Sequence, residues 1–227
     1  MGKNKLARFA ENKILPNVLQ PAREEVLKEF ALKGKWREKV FKNRHPVVLE
    51  LGCGKGEYSV GMAKIFPEKN FIGIDIKGAR FWFGAKEAVR EKLENVVFLR
   101  TQIELIEHCF NENEVDEIWI TFPDPQIKYR RTKHRLTNIE FLERYKKILK
   151  PEGLLHLKTD SEFLHGYTLG LLHGLGYEIV TAHHDIYGAP EYESDKKYLR
   201  EIKTNYEEMF SGAGKKITYI QFKISKQ

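Results

Sequence analysis

From Val47 onward, apolar runs of strand length alternate with stretches whose apolar residues recur at helical spacing. The runs fall at 47–51, 71–76, 96–100, 115–122, 153–159, 177–183 and 217–224, and their alternation with helices predicts parallel βαβ units wound on both faces of one sheet. The seventh run, Ile217 to Ile224, alternates apolar with polar residues and follows Ser211-Gly212-Ala213-Gly214. It predicts an antiparallel return near the sheet edge. Upstream, Val26, Leu27, Phe30 and Ala31 sit at helical spacing, so an amphipathic helix is expected from Pro21 to Lys33, stopped by Gly34. Residues 1–46 are therefore read as an N-terminal arm with a helix against the core, and residues 47–227 as one α/β domain.

In an open sheet of this kind a ligand lies beyond the carboxyl ends of the strands, so the residues that close each strand carry the chemistry. Those residues are Glu50, Asp75, Gln102 with Glu104, Asp124, and Thr159-Asp160. The first strand breaks into Gly52-Cys53-Gly54-Lys55-Gly56, where alternate glycines let the backbone turn tightly and approach a ligand with no Cβ between. Asp75 follows about 20 residues later, the spacing at which a carboxylate accepts from both ribose hydroxyls; the competing reading is a helix cap. A dinucleotide fingerprint wants a third glycine where Glu57 stands. A pyrophosphate there would meet a fixed negative charge instead of a free helix N-terminus. S-adenosylmethionine, with an adenosine, a sulfonium and no phosphate, suits Glu50, Gly52, Gly54, Gly56 and Asp75 better.

Charge changes the picture at the N-terminus. The net charge is +7, and residues 1–46 hold twelve Lys/Arg against five Asp/Glu, so the whole excess belongs to the arm. Such an arm fits a polyanionic partner, and it equally fits a solvated leading segment. No run is long and apolar enough for a membrane span or signal peptide. Two cysteines, Cys53 and Cys109, are too few for a disulfide framework and suit a reducing cytoplasm. His183-His184 lacks a spaced partner, so no metal is expected.

The most specific segment runs from Phe122-Pro123-Asp124-Pro125 through Gln126-Ile127-Lys128-Tyr129-Arg130-Arg131-Thr132-Lys133-His134-Arg135 to Leu136-Thr137. Each proline fixes its own φ and biases the residue before it away from the α region, which holds Asp124 rigidly at the sheet edge. A plain turn before the next helix would need neither the acid nor five Lys/Arg within eight residues; that density favours phosphate binding by Lys128, Arg130, Arg131, Lys133 and Arg135.

With Gly73-Ile74-Asp75, Lys158-Thr159-Asp160 and Thr204-Asn205-Tyr206-Glu207 in the same order, the chain resembles the tRNA (guanine-N7)-methyltransferases over about residues 45 to 224. The resemblance implies a Rossmann-like class I methyltransferase fold, a mostly parallel seven-stranded sheet closed by an antiparallel strand. It implies S-adenosylmethionine as cofactor and tRNA as substrate at a variable-loop guanosine; the expected assembly is a monomer or homodimer, a choice the sequence leaves open. It matches Glu50, Asp75, Gln102 and Asp124 to cofactor-contacting positions. Lys128, Asp160, Thr204, Asn205, Tyr206 and Glu207 match substrate-contacting ones, and Asp124 matches the catalytic residue. Two positions depart from the family's pattern: Gln126-Ile127 replaces a Trp-Pro pair, and Gln102 replaces an acid whose charge Glu104 would supply.

Guanine N7 has an in-plane lone pair and no proton, so methyl transfer to it needs aim more than a base. Positive charge moves onto the purine, and a fixed carboxylate such as Asp124 stabilises it there. The alternative within the class is another structured RNA, such as rRNA, or an exocyclic amine. Amine enzymes carry Asn/Asp-Pro-Pro-Tyr/Phe where this chain has Pro-Asp-Pro, and a cytosine-C5 enzyme would need a cysteine near that strand. A small-molecule methyltransferase requires the basic loop to be mere surface. Glu57 disfavours a dinucleotide oxidoreductase, while a silent RNA-binding module would need neither Glu50 nor Asp75.

Overall fold

The computed structural model describes residues 2–188, 196–204, 207, 209 and 214–226. Among these residues eight strands form one sheet: β1 (Val18–Leu19), β2 (Val47–Leu51), β3 (Asn70–Ile74), β4 (Val96–Leu99), β5 (Val115–Thr121), β6 (Leu149–Thr159), β7 (Tyr177–His183) and β8 (Thr218–Lys226). Their order is β1-β4-β3-β2-β5-β6-β8-β7. Every pair from β1 to β6 is parallel, and β8 runs antiparallel between β6 and β7. The seven expected strands are present. An eighth, β1, has only two residues beside β4, too short to show a period in the sequence.

Around the sheet lie the α-helices α1 (Gly2–Asn12), α2 (Arg23–Lys28), α3 (Glu57–Ile65), α4 (Gly78–Arg90), α5 (Ile106–Cys109), α6 (Ile139–Ile148), α7 (Glu162–Leu175) and α8 (Tyr198–Glu201). Strand alternation sorts the core into two layers. Val47, Leu49 and Leu51 face one cluster with Phe141, Leu142 and Tyr145 of α6 and Leu164 of α7. Val48 faces the other with Val60 and Met62 of α3 and Phe81 and Ala85 of α4. A period of two in the central strand thus fixes which helices cover which face.

The N-terminal segment differs from the expected single helix. α2 stops at Lys28, with Glu29 extended at φ −162°. The chain then turns so that Phe30 meets Trp36, ring centroids 6.0 Å apart, and Trp36 stacks on Phe110 at 5.1 Å. Trp36 opens a short π-helix to Phe41 and is fully buried. Burying two aromatic rings outweighs the propensity of a longer helix. Ahead of it, α1 lies along α4. Asn12 Nδ2 donates to the Gly78 carbonyl at 2.8 Å, and Glu11 accepts from Trp82 Nε1 and Lys86 Nζ, both at 2.7 Å.

Candidate active site

At the carboxyl end of β2 the glycine loop turns under the sheet edge, with Gly52, Gly54 and Gly56 all at positive φ (75°, 57° and 80°). Gly52 N and Cys53 N donate to the Ile74 carbonyl at 2.8 and 3.1 Å, and Gly56 caps α3. The glycines serve two ends. A Cβ on Gly56 would stand 2.5 Å from the Phe98 ring, whereas one on Gly54 would meet nothing closer than 4.0 Å. Gly56 is a packing requirement; Gly54 faces the opening.

That opening is a cleft of about 720 Å³ whose lining includes Glu50, Gly52, Gly54, Asp124, Asp160 and Thr204. Glu50 sits at its floor, buried, accepting from Ser59 N at 2.9 Å, from Ser59 Oγ, and from Thr121 Oγ1 at 2.6 Å. Burial raises its carboxyl to about 7, although the three donors pull it down. Asp75 stands behind the loop: Oδ2 accepts from Gly54 N at 3.1 Å and Oδ1 from Lys77 N at 2.8 Å. It ties the glycine loop to the start of α4, and a carboxylate with two bonds made still has lone pairs for hydroxyls.

The Pro-Asp-Pro turn forms the facing rim. Phe122 and Gln126, just outside the two prolines, both take φ +46°, the left-handed region that costs a non-glycine residue energy. Asp124 is exposed on the rim, and its Oδ1 accepts from Gln126 N at 3.0 Å. Phe122 N donates to the Lys158 carbonyl at 2.8 Å, while Arg135 Nε and Nη2 donate to the Gln126 carbonyl at 3.2 and 3.1 Å. The turn is held at both ends.

Residues 44–220 match the family model described as a putative methyltransferase. A tRNA (guanine-N(7)-)-methyltransferase of Christiangramia forsetii is 66% identical over 98% of this chain and 98% of its own. Its counterpart from Bacteroides thetaiotaomicron is 46% identical over 100% of this chain and 88% of its own. The chain belongs to the tRNA (guanine-N(7)-)-methyltransferase family. At the level of fold it is similar to the 16S rRNA methyltransferase KamB (TM-score 0.62, 14% identity, 83% of this chain and 92% of that one). A 16S rRNA (adenine(1408)-N(1))-methyltransferase solved with its cosubstrate SAM superposes with TM-score 0.56 at 14% identity, over 84% and 89% of the two chains.

The residues of this family member fit a sulfonium nucleoside. Gly52 and Gly54 leave the cradle open, Glu57 occupies the first turn of α3 where a pyrophosphate would sit, and acids recur around the cleft. Other expected residues are placed differently. Gln102 and Glu104 lie at the end of β4, exposed and outside the cleft lining, with Gln102 Oε1 held by Arg23. Lys128, Arg130, Arg131 and Lys133 are exposed on or beside the 3-10 turn Tyr129–His134. Arg135 points inward, 5% exposed, its guanidinium over Phe163 and Tyr167 at 4.8 and 4.4 Å.

Asp160 lines the cleft and pairs with Lys215 at 3.0 Å, and the cap of α7 is the neighbouring Ser161. Thr204 lines the same wall. Glu207 faces into the protein, its carboxylate taken by Lys158 and by the Tyr187 hydroxyl at 2.7 Å, because two buried charges must pair. Asn205 and Tyr206 lie outside the described residues. Sequence reasoning passed over Lys77, Arg80, His134 and Lys215, which also line the cleft. His134 was signalled only by its place in the basic stretch.

Proposed function

We propose that the chain transfers the methyl group of S-adenosylmethionine to N7 of a variable-loop guanine in tRNA, in the cytoplasm. The observation that carries this reading is the position of Asp124: the rigid Pro-Asp-Pro turn holds it on the rim of the same cleft whose floor is Glu50 and the glycine loop. The family relatives carry the substrate, since those named above are called tRNA (guanine-N(7)-)-methyltransferases. Two free, buried cysteines support a reducing setting, and among the described residues no helix is long and apolar enough to cross a membrane.

When bound, S-adenosylmethionine supplies an electrophilic methyl on a sulfonium. Asp75, braced by Gly54 N and Lys77 N, would receive the ribose hydroxyls, and Gly52 and Gly54 would admit the tail. Asp124 accepts from the guanine edge and stabilises the positive charge that spreads over the purine as N7 acquires the methyl. No side chain needs to remove a proton first, because N7 carries none. Asp160 and Thr204 line the same cleft, where they would hold a base or ribose in line. Lys128, Arg130, Arg131 and Lys133 meet phosphates, leaving Arg135 to hold the turn.

The test is incubation with methyl-labelled cofactor and unmodified tRNA, followed by nucleoside identification. Label in 7-methylguanosine is expected. Label on an exocyclic amine, or transfer to rRNA alone, overturns the reading.

A further inference from the structure

A second cleft, of about 660 Å³, opens between α1 and the start of α4. Lys5, Arg8, Lys77, Arg80 and Arg100 line it together with Phe9, and among the described residues no acid does. Five converging cations repel one another and gain nothing from each other's company, so an anionic occupant would relieve them. Two of them are aimed by neighbours on the protein side. The Arg100 guanidinium lies over Phe9 at 5.0 Å with Nε donating to the Ile76 carbonyl at 3.2 Å, and Arg8 lies over Phe83 at 4.4 Å. The rings restrain both guanidiniums and leave N–H groups of each for phosphate oxygens.

The position in the fold names the occupant. Lys77 and Arg80 line this cleft and the cofactor cleft alike, so the two share a wall. In the sheet, β2 lies between β3, which feeds α4, and β5, which feeds the Pro-Asp-Pro turn. The five cations therefore flank the reaction site on the side away from Lys128 to Lys133. A chain of phosphates crossing the site would be met on both sides.

We propose that this cleft is a second RNA-backbone site, in which Lys5, Arg8 and Arg100 hold phosphates of the substrate on the α1 side of the cofactor cleft. The inference rests on the reading of a structured RNA as substrate. The experiment measures equilibrium binding of an unmodified tRNA transcript to the full chain over a range of salt concentrations, with S-adenosylmethionine affinity and thermal midpoint as controls. In Lys5→Gln/Arg8→Gln, tRNA affinity should fall, and the slope of log K against log salt should be shallower by about 0.7–0.9 for each phosphate no longer neutralised. Cofactor affinity should not change. Arg100→Gln should behave likewise and Arg100→Lys should keep the slope, which separates charge from packing of α1. Unchanged slope and affinity in Lys5→Gln/Arg8→Gln, alongside a shallower slope in Lys128→Gln/Arg130→Gln, overturns the second site alone. A wild-type chain that neither binds nor methylates tRNA overturns the functional reading and this inference with it.

Discussion

Lys158 Nζ lies 2.8 Å from Glu207 Oε2, and neither side chain has any exposure to solvent. Lys158 also donates to the carbonyls of Leu199 at 2.6 Å and Ile202 at 3.3 Å, so one ammonium on β6 gathers the segment that carries Thr204 to the cleft wall. Burial lowers this ammonium to about 8, against the pull of the Glu207 carboxylate. Removing one partner strands the other. Lys158→Met should cost about 3–5 kcal/mol in denaturant unfolding, and the double variant Lys158→Met/Glu207→Leu should recover most of it. A single variant that unfolds like the wild type would refute the pairing.

Arg135 braces the Pro-Asp-Pro turn by its two bonds to the Gln126 carbonyl and a third, at 3.3 Å, to that of Ile127. Lysine keeps the charge and loses the fork. Arg135→Lys should lower kcat about tenfold or more, as expected when a positioned group drifts by a fraction of an ångström, while the salt dependence of tRNA binding stays as in the wild type. A shallower salt slope would instead identify Arg135 as a phosphate ligand.

Glu50 gives stability a pH dependence of definite sign. Its carboxyl rises from 4.5 to about 7 on folding, so between those values the folded chain keeps a proton that the unfolded chain has lost. The stabilisation is complete below about 4.5 and lost as pH rises through about 7, amounting to on the order of 3 kcal/mol. Melting of the ligand-free chain from pH 5 to 8 should show this loss, and Glu50→Gln should lack it. Identical profiles for the two proteins would rule out a protonated Glu50.

The glycines of the loop should separate folding from binding. Gly56→Ala drives a Cβ into Phe98, which is itself stacked on Phe81 at 5.6 Å, and should destabilise by several kcal/mol. Gly54→Ala meets no such obstacle and carries only the strain of its positive φ, about 1 kcal/mol. Calorimetry should nonetheless find S-adenosylmethionine binding weakened at Gly54, because the methyl projects into the cleft.

What the sequence displays well are features whose chemistry is local. Glycines at alternate positions, prolines on either side of Asp124 and acids at successive strand ends each declare their geometry through backbone preference, and Glu50, Asp124 and Asp160 do share one cleft. What it hides depends on distant partners. Nothing in Arg130-Arg131-Thr132-Lys133-His134-Arg135 marks its last arginine as buried, because the deciding rings, Phe163 and Tyr167, belong to α7. Glu207 in a charged stretch reads as solvent-facing until Lys158 arrives from β6. Gln102 sits at a strand end like the acids, yet Arg23 of α2 holds it outside the cleft.

The two residues of β1 have an effect out of proportion to their number. Phe98 N donates to the Asn17 carbonyl and Arg100 N to that of Leu19, both at 2.8 Å, so the outer amides of β4 are already satisfied. A neighbouring molecule meets only the two-residue edge of β1 on that flank, too short a ladder to extend, and polymerisation by strand addition is left to β7, whose register shifts at Tyr177/Glu178 and Ile179/Thr181 make it a poor template.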